Sequence, residues 1–223
     1  MKTHNLLLVD DHPITIDAYI NILSKLENAT TTKHFTTAFS CQEAYIKIIE
    51  KSQSDQTFDF AFLDISLPPF EQKNIENGID LGTLIRHYFP NCKIILLTMH
   101  SEPLLLYNAI QKINPEGFLL KNDVNAQSLI TSYQYIMLGQ KHYSATIQAA
   151  YNQSTLKVLD FDAVDCEILQ LLARGIRTKD MTDRLELSLS TIEKRKFNIK
   201  NQLLSGKGSD KELILAAKSK GLL

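Results

Sequence analysis

The sequence predicts a doubly wound α/β domain with a five-stranded parallel sheet, followed by an all-α domain. Two observations predict the first domain: short apolar runs alternate with amphipathic segments of helical period, and several of the runs end abruptly in polar residues. Parallel strands covered on both faces have this continuous apolar character. One observation predicts the second domain, because beyond residue 160 only helical patterns remain.

Composition excludes several classes of protein. The 223 residues are 44% hydrophobic and 22% charged, which is ordinary for a soluble globular protein. The longest apolar runs are far shorter than the roughly 18–20 residues of a membrane span, and no secretory segment follows Met1. The three cysteines lack metal-ligand spacing, which is typical of a reducing compartment. We therefore expect a cytoplasmic protein with no membrane partner.

Charge is unevenly distributed along the chain. Residues 1–154 have a net charge of −4, and residues 155–223 have a net charge of +3. An acidic first part and a basic second part favour different partners. Together with the patterns above, this predicts a first domain at 1–140, a linker region at 141–160 and a second domain at 161–223.

Reactive side chains follow four of the predicted strands. They are three carboxylates, a hydroxyl and an ammonium: Asp10 and Asp11 after the first strand, Asp64 after the third, Thr98 after the fourth and Lys121 after the last. The carboxyl ends of parallel strands meet at one edge of a sheet, where open α/β sheets bind their ligands. We therefore expect these five residues to converge.

The five groups are suited to phosphoryl chemistry. Carboxylates are preferred ligands of Mg²⁺, which bridges readily to phosphate. A carboxylate also forms acyl phosphates, so Asp64 is expected to act as nucleophile and metal ligand together. The alternative is that the three carboxylates are merely solvated loop residues. That is the usual explanation of one such residue, but it explains poorly why five polar groups follow the strands in this order.

Residues 1 to about 140 resemble the receiver domain of a two-component response regulator, which implies a flavodoxin-like fold. The resemblance rests on the five polar residues just named, which match that family's motif positions. It implies that Asp64 accepts a phosphoryl group from a histidine kinase or a phosphotransfer protein. It also implies a Mg²⁺ site of four groups: Asp10, Asp11, Asp64 and the backbone carbonyl of Ser66.

The same resemblance implies roles for three residues near the last two strands. Thr98 and Lys121 would contact the phosphoryl group, and Phe118 matches the switch aromatic that reorients when Thr98 moves. Three departures from the family leave open a protein that is poorly phosphorylated. The loop from Pro68 to Gly78 is longer than usual, and Met99 is bulky where the family usually has a small residue. Asn122 follows Lys121 where many members have a proline.

A helix-turn-helix pattern occurs in the basic part of the chain. A glycine turn at Gly175 precedes one short helix, and a second helix is predicted over 189–204. The second helix of this motif enters the DNA major groove. Its apolar residues form a buried stripe, and its polar residues are expected mostly to face outward: Lys194, Arg195, Asn198 and Asn201. A merely solvated helix face is the alternative meaning of such charges.

Residues 161–223 resemble the DNA-binding domain of the NarL/LuxR class of regulators. The match includes the run 171–175, the run 179–181 and the pair Thr191-Ile192. It implies double-stranded DNA and a second copy of the chain as partners. The candidate DNA contacts are Lys179, Thr191, Lys194, Arg195, Phe197, Asn198 and Asn201. Phe197 either meets thymine methyl groups or packs inward, and Lys196 occupies a place where an aliphatic residue is expected.

These observations predict a phosphorylation-controlled, DNA-binding transcription regulator and not a dedicated enzyme. One alternative is a Mg²⁺-dependent aspartyl phosphotransferase or phosphatase. Such enzymes generally need a second carboxylate two residues after the nucleophile, and Ser66 occupies that position. Another alternative is a protein that keeps the receiver fold without efficient phosphorylation and acts through protein–protein interaction.

Overall fold

The computed structural model describes residues 2–26, 31–54, 56–153, 159, 161–204, 206–220 and 222–223. The chain divides into two units, the first formed by residues 1–99 and 113–147 and the second by residues 100–112 and 148–223. The predicted linker region includes residues 154–158 and 160, which lie outside the described residues. The predicted domain limits therefore stay a prediction.

A parallel sheet of six strands forms the centre of the first unit, in the order β2-β1-β3-β4-β5-β6. The strands are β1 (Lys2–Val9), β2 (Thr31–Ala38), β3 (Phe60–Asp64), β4 (Lys93–Thr98), β5 (Gly117–Leu120) and β6 (His142–Tyr143). The doubly wound α/β fold is confirmed. The sheet has six strands and not the predicted five. The sixth was missed because β6 has only two residues and so shows no recognisable period.

Burial explains the apolar character of the central strands. Every residue of β3 and β5 is buried, and only the first residue of β4 is partly exposed. The edge strand β2 is instead half-exposed along most of its length. Strands covered on both faces cannot alternate apolar and polar residues, so their sequences read as continuous apolar runs.

Six helices follow the strands in chain order. They are α1 (Pro13–Ser24), α2 (Cys41–Ser52), α3 (Gly78–Tyr88), α4 (Pro103–Ile113), α5 (Ala126–Met137) and α6 (Ala145–Gln153). Local chemistry fixes where several of them begin. Ser40 accepts a hydrogen bond from the N–H of Glu43, and Asn77 accepts from the N–H groups of Ile79 and Asp80.

Besides most of α4 and of α6, the described residues of the second unit form four further helices. They are α7 (Ala163–Ala173), α8 (Thr182–Leu185), α9 (Leu189–Leu204) and α10 (Asp210–Ser219). Buried residues of three of them, Leu169, Ile192 and Leu213, belong to one apolar core. The short helix predicted after Gly175 begins as a 3-10 turn at Thr178–Met181, which continues into α8. In the part of the chain that the structure describes, no helix has the length and apolar character needed to cross a membrane.

Candidate functional site

Strand register brings the predicted reactive groups of the first unit to one edge of the sheet. Asp64 ends β3 and pairs with Leu97, while Thr98 ends β4 and pairs with Leu120. Lys121 follows β5 directly. Asp64 and Thr98 are both buried, so these groups lie in the floor of the site and not on a solvated loop.

Lys121 bridges two buried carboxylates. Its Nζ lies 2.7 Å from Oδ2 of Asp64 and 2.8 Å from Oδ2 of Asp10. Both carboxylate side chains are at most 3% exposed, so Lys121 provides positive charge where water provides little screening. Burial by itself lowers the pKa of Lys121, but its contacts with the carboxylates of Asp10 and Asp64 raise it above its ordinary value.

Asp11 lies at the open side of this site. Its side chain is 34% exposed, and its Oδ1 is 2.7 Å from Nδ1 of His12. The N–H of His12 also donates to Oδ1 of Asp10 at 3.0 Å. The candidate ligand atoms of Asp10, Asp11 and His12 lie within 4.8 Å of one another. Sequence reasoning missed His12, although its place directly after the two aspartates was a usable indication.

The donor set fits a hard divalent cation. Asp10 and Asp11 are adjacent in the chain, and Asp64 is joined to Asp10 through Lys121. Oδ2 of Asp10 accepts no well-aligned hydrogen bond from the described residues, despite its short distance to Lys121. Asp10 and Asp64 share one ammonium, and Asp11 adds a third carboxylate beside Asp10. The set leaves negative charge that oxygen-ligated Mg²⁺ is suited to balance.

The segment after β3 turns back on the site. The N–H of Ser66 donates to Oδ1 of Asp64 at 3.2 Å, and Ser66 is exposed. The chain returns at Gly78, where any Cβ would collide with the carbonyl oxygen of Asp64. Glycine is therefore required for α3 to begin so close to β3.

The long loop from Pro68 to Gly78 is folded against α2. Phe70 and Ile75 form an isolated antiparallel bridge, and a 3-10 turn lies between them. The rings of Phe70 and Tyr45 meet edge-on, with centroids 5.6 Å apart. Lys73 Nζ lies 5.6 Å from the centroid of the Tyr45 ring. The loop is thus an ordered hairpin attached to α2.

Three other residues near the site differ in exposure. Met99 is 54% exposed, so its side chain extends into solvent beside Thr98. Phe118 is fully buried, three residues before Lys121. Tyr19 of α1 is also buried, and burial followed by the negative charges of Asp10 and Asp64 raises its pKa.

In the second unit, α9 has the predicted buried stripe and polar outer face. Ser188 accepts a hydrogen bond from the N–H of Thr191 at 3.2 Å, which helps fix the start of the helix. Phe197 is 57% exposed, which excludes the inward-packed arrangement. One cleft brings together seven polar residues, five of them predicted: Asp165, Thr191, Lys194, Arg195, Asn198, Asn201 and Gln202. Lys179 is exposed on the 3-10 turn before α8.

Arg195 is ion-paired within the unit. Its Nη1 lies 2.8 Å from Oδ2 of Asp162 and 2.9 Å from Oδ1 of Asp165, at the start of α7. Burial raises the pKa of Asp165, and this effect outweighs the guanidinium, which lowers it. The expectation that Arg195 faces outward is therefore only partly met, because its side chain is 30% exposed.

Lys196 is buried, although its position was expected to hold an aliphatic residue. Its Nζ donates to Oγ1 of Thr178 at 2.6 Å and to Oδ2 of Asp210 at 2.9 Å. Lys200 Nζ lies 2.8 Å from the other oxygen of Asp210. A polar network around the buried Lys196 thus links α9 to α10 and to the turn before α8.

The fold and the first site together define a class of protein: a doubly wound α/β domain with buried carboxylates, a hydroxyl and an ammonium at the carboxyl edge of its sheet. The response regulator receiver domain family model matches residues 6–134, more than half of the chain. The chain belongs to this family, and the predicted response regulator is confirmed.

Relatives extend the likeness over the whole chain. The oxygen regulatory protein NreC of Staphylococcus epidermidis is 28% identical over 98% of this chain and 98% of that protein. The structure of RcsB from Salmonella enterica serovar Typhimurium, bound to promoter P1flhDC in the presence of the phosphomimetic BeF3−, has a TM-score of 0.64 at 21% identity. It covers 98% of this chain and 100% of that chain.

A third likeness concerns the predicted class of regulator. A two-component response regulator of the LuxR family from Aurantimonas sp. has a TM-score of 0.55 at 22% identity, over 68% of this chain and 97% of that chain. At this identity the two solved structures establish the fold. The family match independently shows that the chain is a response regulator.

Proposed function

We propose that the protein is a DNA-binding transcription regulator controlled by phosphorylation of Asp64. One observation carries the proposal: Lys121 draws the carboxylates of Asp64 and Asp10 together, within a buried edge that also contains Thr98. A carboxylate oxygen of Asp64 would form a P–O bond while the P–N bond of a donor phosphohistidine breaks. The donor is a histidine kinase or a phosphotransfer protein.

The groups around Asp64 suit the product of this transfer. Lys121 would pair with a phosphoryl oxygen in place of the carboxylate, and the hydroxyl of Thr98 would donate to another. Phe118, on the strand that leads to Lys121, would act as the switch aromatic. Each of these side chains lies at the end of a strand or within one, so the sheet fixes their relative positions.

The Mg²⁺ site would consist of oxygen ligands from the same edge: Asp10, Asp11, Asp64 and the backbone carbonyl of Ser66. When bound, the ion would neutralise charge between the attacking carboxylate and the phosphoryl oxygens. Asp11 is the most accessible of the three carboxylates, which suits direct contact with an ion that keeps part of its water shell.

The second unit would bind double-stranded DNA through α9. The exposed Lys194 would neutralise phosphates, and the amides of Asn198 and Asn201 would reach base edges in the major groove. Phe197 would contact thymine methyl groups, since its ring is exposed. The set is completed by three residues: Lys179, Thr191 and Arg195. Helix-turn-helix proteins commonly bind paired half-sites as dimers, so a homodimer is the expected active form.

The protein would act as a switch and not as a dedicated enzyme. Ser66 stands where aspartyl phosphatases need a second carboxylate, and the relative NreC is named as a regulatory protein. A regulator that receives phosphoryl groups from a kinase and binds DNA would work in the cytoplasm.

DNA binding by the full-length protein tests this function. Incubation with acetyl phosphate and Mg²⁺ is expected to raise the affinity for duplex DNA by about 5- to 150-fold, the usual range of allosteric coupling. Asp64→Asn should remove the increase, whereas Asp17→Asn, at an exposed position on α1, should retain it. Failure of the phosphorylated protein to retard any duplex at low salt would reject the proposed function.

A further inference from the structure

The short strand β6 pairs with the strand that carries the switch aromatic. Its two residues, His142 and Tyr143, stand in parallel register with Gly117 and Phe118. The N–H of His142 donates to the carbonyl of Glu116 at 2.9 Å. The edge of β5, which a five-stranded sheet leaves open, is therefore covered by the beginning of the predicted linker region.

Tyr143 touches Phe118 directly. The two rings meet edge-on, with centroids 6.2 Å apart and an interplanar angle of 85°. The hydroxyl of Tyr143 donates to the carbonyl of Pro115 at 3.1 Å, which fixes the ring at its far end. Because Phe118 is fully buried in a close-packed interior, its ring cannot move without changing this contact.

Ser144 makes a second connection between the end of β6 and strand β5. It reaches Leu120, the residue directly before Lys121. Its N–H donates to the carbonyl of Phe118 at 2.9 Å, and its Oγ accepts from the N–H of Leu120 at 3.1 Å. Ser144 is buried, so water competes little for these hydrogen bonds. The backbone that positions Lys121 is thereby tied to the chain just after β6.

Strand β6 is short enough for its pairing to respond to a movement of Phe118. Each of its hydrogen bonds contributes about 0.5–1.5 kcal/mol net, so a two-residue strand lies toward the low-stability end of the fold. His142 is held from the other side by Ser132, 2.8 Å away, and by stacking on Tyr135. The helix α6 starts at Ala145, immediately after Ser144, so no flexible residue separates it from the contact with β5.

We propose that β6 transmits the state of the phosphorylation site to the chain that leads into α6, with Tyr143 as the positioning residue for Phe118. This inference rests on the proposed function. When Thr98 and Lys121 turn toward a phosphoryl group, Phe118 moves and the edge contact with Tyr143 is rearranged. The pairing of β6 then shifts between two arrangements, and the linker follows.

The test compares DNA affinity with and without phosphorylation in the full-length protein. The probe is one duplex, selected from a random-sequence pool by the phosphorylated wild type. Tyr143→Ala should still form the acyl phosphate on Asp64, but its affinity ratio should fall to below about twofold from the 5- to 150-fold expected of the wild type. Tyr143→Phe keeps the ring and should keep the ratio. Tyr88→Ala, which removes an exposed ring from α3, should also keep it.

A second variant covers the possibility that Tyr143→Ala does not fold. Ser144→Ala retains both rings and removes only the acceptor for the N–H of Leu120, and it should lower the ratio severalfold. A wild-type ratio in both Tyr143→Ala and Ser144→Ala would overturn the role of β6 while leaving the proposed function intact. A wild type whose DNA affinity does not respond to phosphorylation would contradict the proposed function and, with it, this inference.

Discussion

The ammonium of Lys121 is ion-paired with the carboxylate of Asp64, with 2.7 Å between Nζ and Oδ2. The same Nζ lies 2.8 Å from Asp10, so one cation serves two buried anions. Removing one member of a buried ion pair leaves an uncompensated charge, which is more costly than the pair itself is stabilising. Lys121 is therefore the counter-ion that the chain itself provides to both carboxylates.

Lys121→Met should lower the free energy of unfolding of the metal-free protein by about 3 kcal/mol, because Asp10 and Asp64 lose their buried counter-ion. Mg²⁺ should restore much of this loss by taking over the same charge. Urea unfolding in EDTA and in excess Mg²⁺ measures both effects. Lys25→Met, at an exposed position beyond α1, serves as the control and should show neither. Equal stability of Lys121→Met and wild type in EDTA would contradict this account.

Mg²⁺ itself should raise the thermal midpoint of the wild type, since it binds the folded site and has no such site in the unfolded chain. At about 100 times its dissociation constant the expected stabilisation is about 2.7 kcal/mol. Asp11→Ala should lose most of this response, because Asp11 provides the most accessible carboxylate. Asp17→Ala, which removes an exposed carboxylate from α1, should retain it. A full Mg²⁺ response in Asp11→Ala would place the ion elsewhere.

Lys194→Ala should weaken DNA binding uniformly across sequences and lower the slope of log affinity against log salt by about one, as expected for one lost phosphate contact. Lys218→Ala removes another exposed lysine, from α10, and should leave the slope unchanged. Titrations of the full-length protein at four or more salt concentrations measure the slope. Indistinguishable slopes for the two variants would exclude the outer face of α9 as the DNA-contacting surface.

Acid should destabilise the polar network around Asp210. Burial by itself raises the pKa of this carboxyl, but hydrogen bonds from Lys200 and Lys196 hold it below its ordinary value of 3.8. A carboxyl whose pKa is lower in the folded than in the unfolded state stabilises the fold at pH values above its unfolded-state pKa. This stabilisation is lost as the pH falls through its folded-state pKa. Wild type should therefore lose more stability than Asp210→Asn on acidification below about pH 4. Parallel pH profiles of the two proteins in urea unfolding would count against the network.

The sequence predicted the fold, and the position of polar groups at the strand ends, for a physical reason. Strands covered on both faces must be apolar throughout, so a polar residue at the end of such a run, as at Asp64 or Thr98, marks the strand end clearly. Parallel pairing then brings the strand ends together without further information. His12 was missed because an exposed histidine in a loop has no periodic context.

Other features depend on contacts between distant parts of the chain. Lys196 is buried because Thr178 and Asp210 provide oxygen partners that local helical pattern does not reveal. The pairing of Arg195 with Asp162 and Asp165 likewise joins two helices. Strand β6 was missed because two residues have no detectable period, and only the open edge of β5 gives them a partner.

The central claim is that Asp64 is the phosphoacceptor, and mass spectrometry of the intact protein and its peptides tests it most directly. After incubation with acetyl phosphate and Mg²⁺, the wild type should gain the mass of one phosphoryl group, located on the peptide that contains Asp64. Asp64→Asn should gain none, and Asp17→Asn should behave as the wild type. An adduct that persists in Asp64→Asn, or a wild type that forms no adduct with acetyl phosphate or a related small donor, would contradict the claim.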